Sequence, residues 1–208
     1  MRVLFSVLGI SLFAQLAVGQ QFVGKQELSI YALVIRDVRR LEGDWAGKAR
    51  KLVVLSQTMK GDKRWVETAG ESTRGLVKNF ERVNNQSLIL PDSLAGQCRC
   101  DLLSETELAG ILDKGRKETE RLEATQKVRG IMALPSCDDG WQYFSAKFPD
   151  VNQYYKLSRI GYSASGKFAF VETDGIGACS DSNCTHLLKR TTKGWRIYRR
   201  GGGGRGVS

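Results

Sequence analysis

The sequence predicts an α+β fold: N-terminal helices and a strand, then a helix packed on a C-terminal antiparallel four-stranded meander. Three features lead there. Apolar side chains recur at helical spacing early in the chain, at Ile30, Tyr31, Val34, Val38 and Leu41. From Tyr154 the apolar period falls to two, the spacing of half-buried strands. Between these strand-like runs lie short breaks, Ser163-Ala164-Ser165-Gly166 and Thr192-Lys193-Gly194, which suit hairpin connections. With 208 residues, 41% hydrophobic and 26% charged, the chain is an ordinary globular one with enough length for a well-buried core.

Residues 1–19 read as a secretory signal peptide. Arg2 supplies the positive start, Val3 to Val18 is an uncharged and mostly apolar run, and Ala17-Val18-Gly19 is a small-x-small cleavage site. The run is shorter than the ~20 residues needed to span a bilayer, and no later segment is apolar enough. The expected mature chain begins at Gln20, has no transmembrane segment and is secreted or periplasmic.

The first mature element is an amphipathic helix over residues 27–41, ending near Gly43. Arg36, Asp37, Arg39 and Arg40 fall on the solvated side. Residues 50–58 form a short β-branched run and so a strand. Gly75 to Val83 suits a helix with Leu76, Val77, Phe80 and Val83 on one side, ended by Asn84-Asn85. Ser104-Glu105-Thr106-Glu107 is a capping box, in which the Ser104 hydroxyl and the Glu107 carboxylate each accept from the other's backbone amide. Leu108, Ile111 and Leu112 follow as its buried stripe. Residues 113–130 are polar and read as a helical insertion, with Lys114/Glu118, Arg116/Glu120 and Glu123/Lys127 as i,i+4 pairs.

Asp138-Asp139-Gly140 can cap the next helix, whose face carries Trp141, Phe144 and Phe148 before Pro149 stops it. The four strands then fall in 154–163, 167–173, 184–191 and 195–199. Gly201 to Gly204 begins a flexible tail over 201–208. Residues 20–200 are expected to form a single domain.

Charge and sulfur narrow the chemistry. The net charge is +10, and residues 156–208 carry ten basic against three acidic groups, a net +7. One His excludes a multi-His metal centre. The five cysteines are Cys98, Cys100, Cys137, Cys179 and Cys184. Export permits disulfides, and an odd count leaves one thiol free or paired with another chain. Cys98 and Cys100 look poorly placed for a mutual bridge. Cys179 and Cys184 flank the turn-rich Ser180-Asp181-Ser182-Asn183 and are expected to bridge it, leaving Cys137 to join Cys98 or Cys100. The spacings do not suit zinc, and no cofactor motif is present.

Lys189, Arg190, Lys193, Arg196, Arg199 and Arg200 put six cations into twelve residues, with Trp195 and Tyr198 between them. The pattern suits a polyanion such as an acidic glycan or an anionic membrane surface, while export argues against nucleic acid. The competing reading is a solubilising edge. Arg159, among apolar neighbours, could clamp a carboxylate or form a structural ion pair. His186 reads as a strand-surface residue, because no nucleophile-elbow context accompanies it. Asn85 and Asn183 head N-glycosylation triplets. The expected function is a non-catalytic binding or accessory module with a basic C-terminal face. The alternative is an extracellular hydrolase using a carboxylate pair in a cleft.

Several of these segments together resemble a known group. They are Trp141-x2-Phe144-x3-Phe148-Pro149, Leu157-Ser158-Arg159-Ile160-Gly161-Tyr162, Phe168-Ala169-Phe170-Val171, Leu187-Leu188-Lys189 and Gly194-Trp195-Arg196-Ile197. Val54 to Thr58, Asn84 to Ser87 and Leu103 to Leu108 extend the likeness upstream. The pattern is similar to a group of mostly bacterial secreted proteins of uncharacterised function. The resemblance implies an α+β fold and no particular activity. This chain departs from the group in its Gly175-Ile176-Gly177-Ala178-Cys179 loop and its second cysteine, Cys184.

Overall fold

The computed structural model describes residues 23–46, 51–61, 75–128, 140–178 and 180–206. The expected signal peptide, Cys137, Cys179 and Asp138-Asp139 lie outside these residues. The elements are α1 (Lys25–Ala46), β1 (Leu52–Leu55), α2 (Leu76–Val83), α3 (Ser93–Cys98), β2 (Cys100–Leu103), α4 (Glu105–Val128), α5 (Trp141–Lys147), β3 (Gln153–Leu157), β4 (Gly161–Tyr162), β5 (Phe168–Gly177), β6 (Ser180–Thr191) and β7 (Gly194–Gly206).

The strands form one mixed sheet in the order β2-β1-β3-β5-β6-β7, with β4 paired to β5. β1 runs parallel to β2 and β3, and the pairs β3–β5, β5–β6 and β6–β7 are antiparallel. The α+β reading therefore holds, with a C-terminal antiparallel half continued by a short parallel half. Val53, Val54 and Leu55 have no exposed surface because helices cover both faces of the sheet.

On one face, α1 lays Ile30, Tyr31, Val34, Ile35 and Val38 over Leu52, Val54, Tyr155, Leu157, Val171 and Leu188, with Leu94 and Cys98 of α3 beside it. On the other face, α5 and α4 pack Trp141, Phe144 and Leu108 on Val53, Leu55, Leu103 and Tyr154. The aromatic helix thus rests on β1–β3 and not on the middle of the meander. There α2 takes its place, with Leu76 and Phe80 against Phe170 and Leu187. The capping box forms as expected: Glu107 N donates to Ser104 Oγ at 3.1 Å, and Ser104 N donates to Glu107 Oε2 at 3.0 Å. The polar stretch from 113 continues α4 as one helix to Val128.

The structure also differs from the expectations in the following places. The first predicted strand is two, β3 and β4, because Ser158 leaves the ladder: its backbone amide and hydroxyl bind the backbone of Glu172 while its own carbonyl accepts from Tyr31 Oη at 3.2 Å. Ser180 to Asn183 is not a loop but the start of β6, paired with Ile176 back to Asp174 and with Gly203 to Gly206. Gly201 to Gly206 is not a free tail but the end of β7. Glycine is required there: Gly202 has φ +129°, and a Cβ on it would sit 2.1 Å from Asn183 O. Finally, Cys98 and Cys100 are bridged. Arg99 between them takes a left-handed conformation as the C-cap of α3, which brings the two Cα atoms to 5.3 Å, within bridging range. Arg39, expected on the solvated side, instead donates from Nη2 to the carbonyls of Cys98 and Arg99 at 2.6 and 2.5 Å and holds that turn on α1.

α4 and α5 touch backbone to backbone. A Cβ on Gly115 would lie 1.9 Å from Gly140 Cα, whereas one on Gly110, earlier in the same helix, meets nothing among the described residues within 4 Å. Gly115→Ala is therefore expected to destabilise by about 1–3 kcal/mol through overpacking. Gly110→Ala is expected to stabilise by up to about 1 kcal/mol through helix propensity. Urea unfolding of the two variants checks the opposite signs, and equal effects would refute the close contact.

Candidate functional site

The basic end of the chain folds into the β6–β7 hairpin, and strand alternation sorts its cations. Lys189 pairs across the sheet with Phe168 on one side and Arg196 on the other, so all three share the α2 face. A register irregularity between Leu187 and Leu188 leaves Tyr198 as the extra residue of β7. Tyr198 turns to the same face: its ring lies 5.9 Å from that of Phe168, and Lys189 Nζ sits 5.6 Å from the Tyr198 centroid and 6.0 Å from that of Phe168. Arg199, opposite Leu187, completes the face. No ion pair joins Lys189, Arg196 or Arg199 to an acid among the described residues. Lys189 directly opposite Arg196 is a like-charge cross-strand pair, an arrangement unfavourable by itself.

The other expected anion-binding residues separate from this cluster. Arg190 stands opposite Trp195 on the α1 face, and Lys193 is in the hairpin turn. Arg159 is not mid-strand but in the β3–β4 connection, where Asn84 grips its backbone: Arg159 N donates to Asn84 Oδ1 at 2.8 Å, and Asn84 Nδ2 donates to Arg159 O at 3.2 Å. Arg200 is already bound. Its Nε donates to Asp37 Oδ2 at 2.5 Å and its Nη2 donates to Asp37 Oδ1, a bidentate pair joining β7 to α1.

This pair belongs to a buried polar cluster that the sequence reading missed. Asp37 is 8% exposed and His186 has no exposed surface, so neither is the surface residue expected. His186 Nδ1 lies 3.4 Å from Asp37 Oδ2, and its Nε2 is 3.3 Å from Thr173 Oγ1. Burial alone would raise the Asp37 carboxyl, but His186 and the Arg200 guanidinium outweigh it and hold the group well below the usual carboxylate range. A signal was present: Asp37 is seven residues from Ile30 and three from Val34, which puts it on the apolar stripe.

Asp37, His186 and Thr173 have the linear order of an acid–base–nucleophile triad. Thr173 is only 1% exposed and donates its hydroxyl to Cys184 O at 3.1 Å, so the row is enclosed and tied into the backbone. Cys184 is a free, half-buried thiol in this structure, not the bridge partner expected of it, and Cys179 lies outside the described residues. Burial and the Asp37 charge push the Cys184 thiol up, against nucleophilic use.

Two described carboxylates of β5 are also engaged. Glu172 and Asp174 both accept from Asn183 Nδ2, at 2.7 and 2.5 Å, and Glu172 is enclosed. The same bonds commit the Asn183 amide inside the sheet, while Asn85 stands exposed in a turn. A depression of about 480 Å³ along α4 is lined by Ala109, Gly110, Leu112, Asp113 and Arg116. Its acid, Asp113, is paired with Lys117 and Arg116, which hold its carboxyl low, opposite to the need of a general acid. Among the described residues no group of three or more His, Cys, Asp or Glu is placed to hold a metal ion, and no helix is long and apolar enough to cross a membrane.

Comparison with protein-family models, with curated proteins and with solved structures gives no match to this chain.

Proposed function

We propose that the protein is an exported, non-catalytic binding module that takes acidic ligands on the basic aromatic face of its C-terminal hairpin. The observation that carries this reading is Lys189 opposed to Arg196, with Arg199 one step along the strand, set between Phe168 and Tyr198 without an acidic partner among the described residues. A bound anion relieves the repulsion between the opposed cations, and the aromatic rings give the ligand a flat surface beside the charge. Export is supported by the apolar N-terminal segment with its small-residue cleavage site and by the Cys98–Cys100 disulfide, a bond of oxidising compartments.

Salt elution of the mature protein from heparin-agarose tests the reading. Lys189→Gln, Arg196→Gln and Arg199→Gln combined are expected to lower the elution salt. At about 0.2–1 kcal/mol per exposed contact, the affinity loss is roughly three- to 140-fold. Neutralising Arg116, Lys117 and Arg121 on α4 removes the same charge and is expected to leave elution nearly unchanged. Equal shifts for the two triple variants would mean that net charge, not this face, governs retention.

A further inference from the structure

We propose that the outer edge of β7 takes an extended acidic peptide as an added strand, with the peptide's apolar side chains beside Trp195 and Ile197 and its carboxylates against Arg196 and Arg199. This rests on the reading of the basic hairpin face as a binding surface and names the class of partner.

Among the described residues β7 is the last strand and is hydrogen-bonded on one side only, to β6. Its other edge presents a row of backbone N–H and C=O groups, which an incoming strand can pair. Arg196, Tyr198, Arg199, Arg200 and Gly201 are all exposed along it. Edges are commonly blocked by proline, yet the three prolines of the chain, Pro91, Pro135 and Pro149, all lie outside β7. β7 pairs with β6 from Gly194 to Gly206, with a bulge at Tyr198 and a positive φ at Gly202, so its regular edge is Gly194 to Ile197.

The two faces of this edge differ in chemistry. Trp195 and Ile197 are half-buried on the α1 face, packed against the core, and the Trp195 ring lies 6.1 Å from that of Tyr162. Arg196, Tyr198 and Arg199 stand on the α2 face. Because successive side chains of a strand point to opposite faces, a strand added beside Gly194 to Ile197 puts alternate residues beside the apolar Trp195–Ile197 strip and beside the cationic face. The matching sequence alternates apolar and acidic residues.

Charge also discriminates among occupants. A second copy pairing through its own β7 would bring two sets of Arg196 and Arg199 onto one sheet, a like-charge contact. A polysaccharide or an anionic membrane answers the cations but leaves the edge amides and carbonyls and the Trp195–Ile197 strip without partners.

The test is fluorescence anisotropy on the mature protein with its disulfide intact, using a labelled eight-residue peptide of alternating Val and Glu. Two backbone-methylated versions carry N-methyl groups on the odd or on the even amides, and an isomer of equal composition has four Val followed by four Glu. The alternating peptide is expected to bind. One N-methyl series weakens binding at least tenfold while the other binds nearly as the parent, because only one set of amides faces β7. The block isomer binds at least tenfold more weakly, and Arg196→Glu with Arg199→Glu abolishes binding. If both methylated series bind as well as the parent, or the block isomer binds equally, strand addition is wrong, and retention on heparin then shows whether the charge reading survives. If neither peptide nor heparin binds, both readings fall. A stable dimer in sedimentation that Arg196→Glu with Arg199→Glu disrupts would assign the edge to a second copy and overturn the proposal.

Discussion

Asp37→Asn is expected to lower the unfolding free energy by about 3 kcal/mol, the low end of the cost of breaking a buried charge pair from one side. The carboxylate is almost enclosed and receives both guanidinium bonds of Arg200. Its loss takes away the carboxylate that lies 3.4 Å from His186 Nδ1 in the core. Arg200 keeps 36% of its side chain exposed and can turn to water, which is why the low end applies. The cluster joins α1 to β6 and β7 across 163 residues, so the C-terminal hairpin should be the part that loosens.

The pH dependence carries a definite sign. The folded-state pKa of Asp37 is depressed, so the stability it contributes is fully present above the unfolded carboxyl value of about 4. That contribution is lost as pH falls from there through the folded value. Urea unfolding between pH 2 and 7 should show a steep acid limb in the parent and a flatter one in Asp37→Asn. A variant within about 0.5 kcal/mol of the parent at pH 7, or an unchanged acid limb, would sink the assignment.

Phe80→Ala is expected to cost about 3–5 kcal/mol. Its ring has no exposed surface and meets Phe170 edge to face at a centroid distance of 5.0 Å. The backbone of Gly161 closes directly on it: a Cβ there would fall 2.8 Å from Phe80 Cβ. The cavity left by truncation is therefore walled by backbone on one side and cannot collapse easily. Phe80, Leu76, Phe170 and Leu187 form a small separate core, so Phe80 also supports the strand that carries Lys189. Chemical denaturation checks the value, and Tyr143→Ala, 38% exposed on α5, serves as a control expected within about 0.5 kcal/mol of the parent. An effect below about 1 kcal/mol for Phe80→Ala would show that the site repacks.

Much of the fold is legible in local pattern. Ser104 and Glu107 mark the start of α4 because a capping box is complete within four residues. The aromatic spacing of Trp141 and Phe144 and the period-two run from Tyr154 mark α5 and the strands for the same reason: helix and strand periodicity are properties of consecutive residues. The partner of α5 was not legible. Whether it lies on the meander or on β1–β3 depends on β1 and β2, whose parallel pairing needs residues far apart in sequence. Arg99 was missed because a left-handed non-glycine residue leaves no trace in composition, and the turn it makes holds the Cα atoms of Cys98 and Cys100 at 5.3 Å.

The candidate site divides in the same way. The sequence by itself determined that the chain's positive charge gathers near its end, that aromatic residues are interleaved with it, and that the segment forms strands. Tertiary structure decided which cations act together. Strand register puts Lys189, Arg196 and Arg199 on one face, and the irregularity at Leu187–Leu188 adds Tyr198 to them. Helix α1 removes Arg200 from the set by supplying Asp37, and the β3–β4 connection sets Arg159 apart. The physical reason is that charge is a property of composition, whereas the face on which a charge stands is set by hydrogen-bond register, and its pairing by elements more than a hundred residues away.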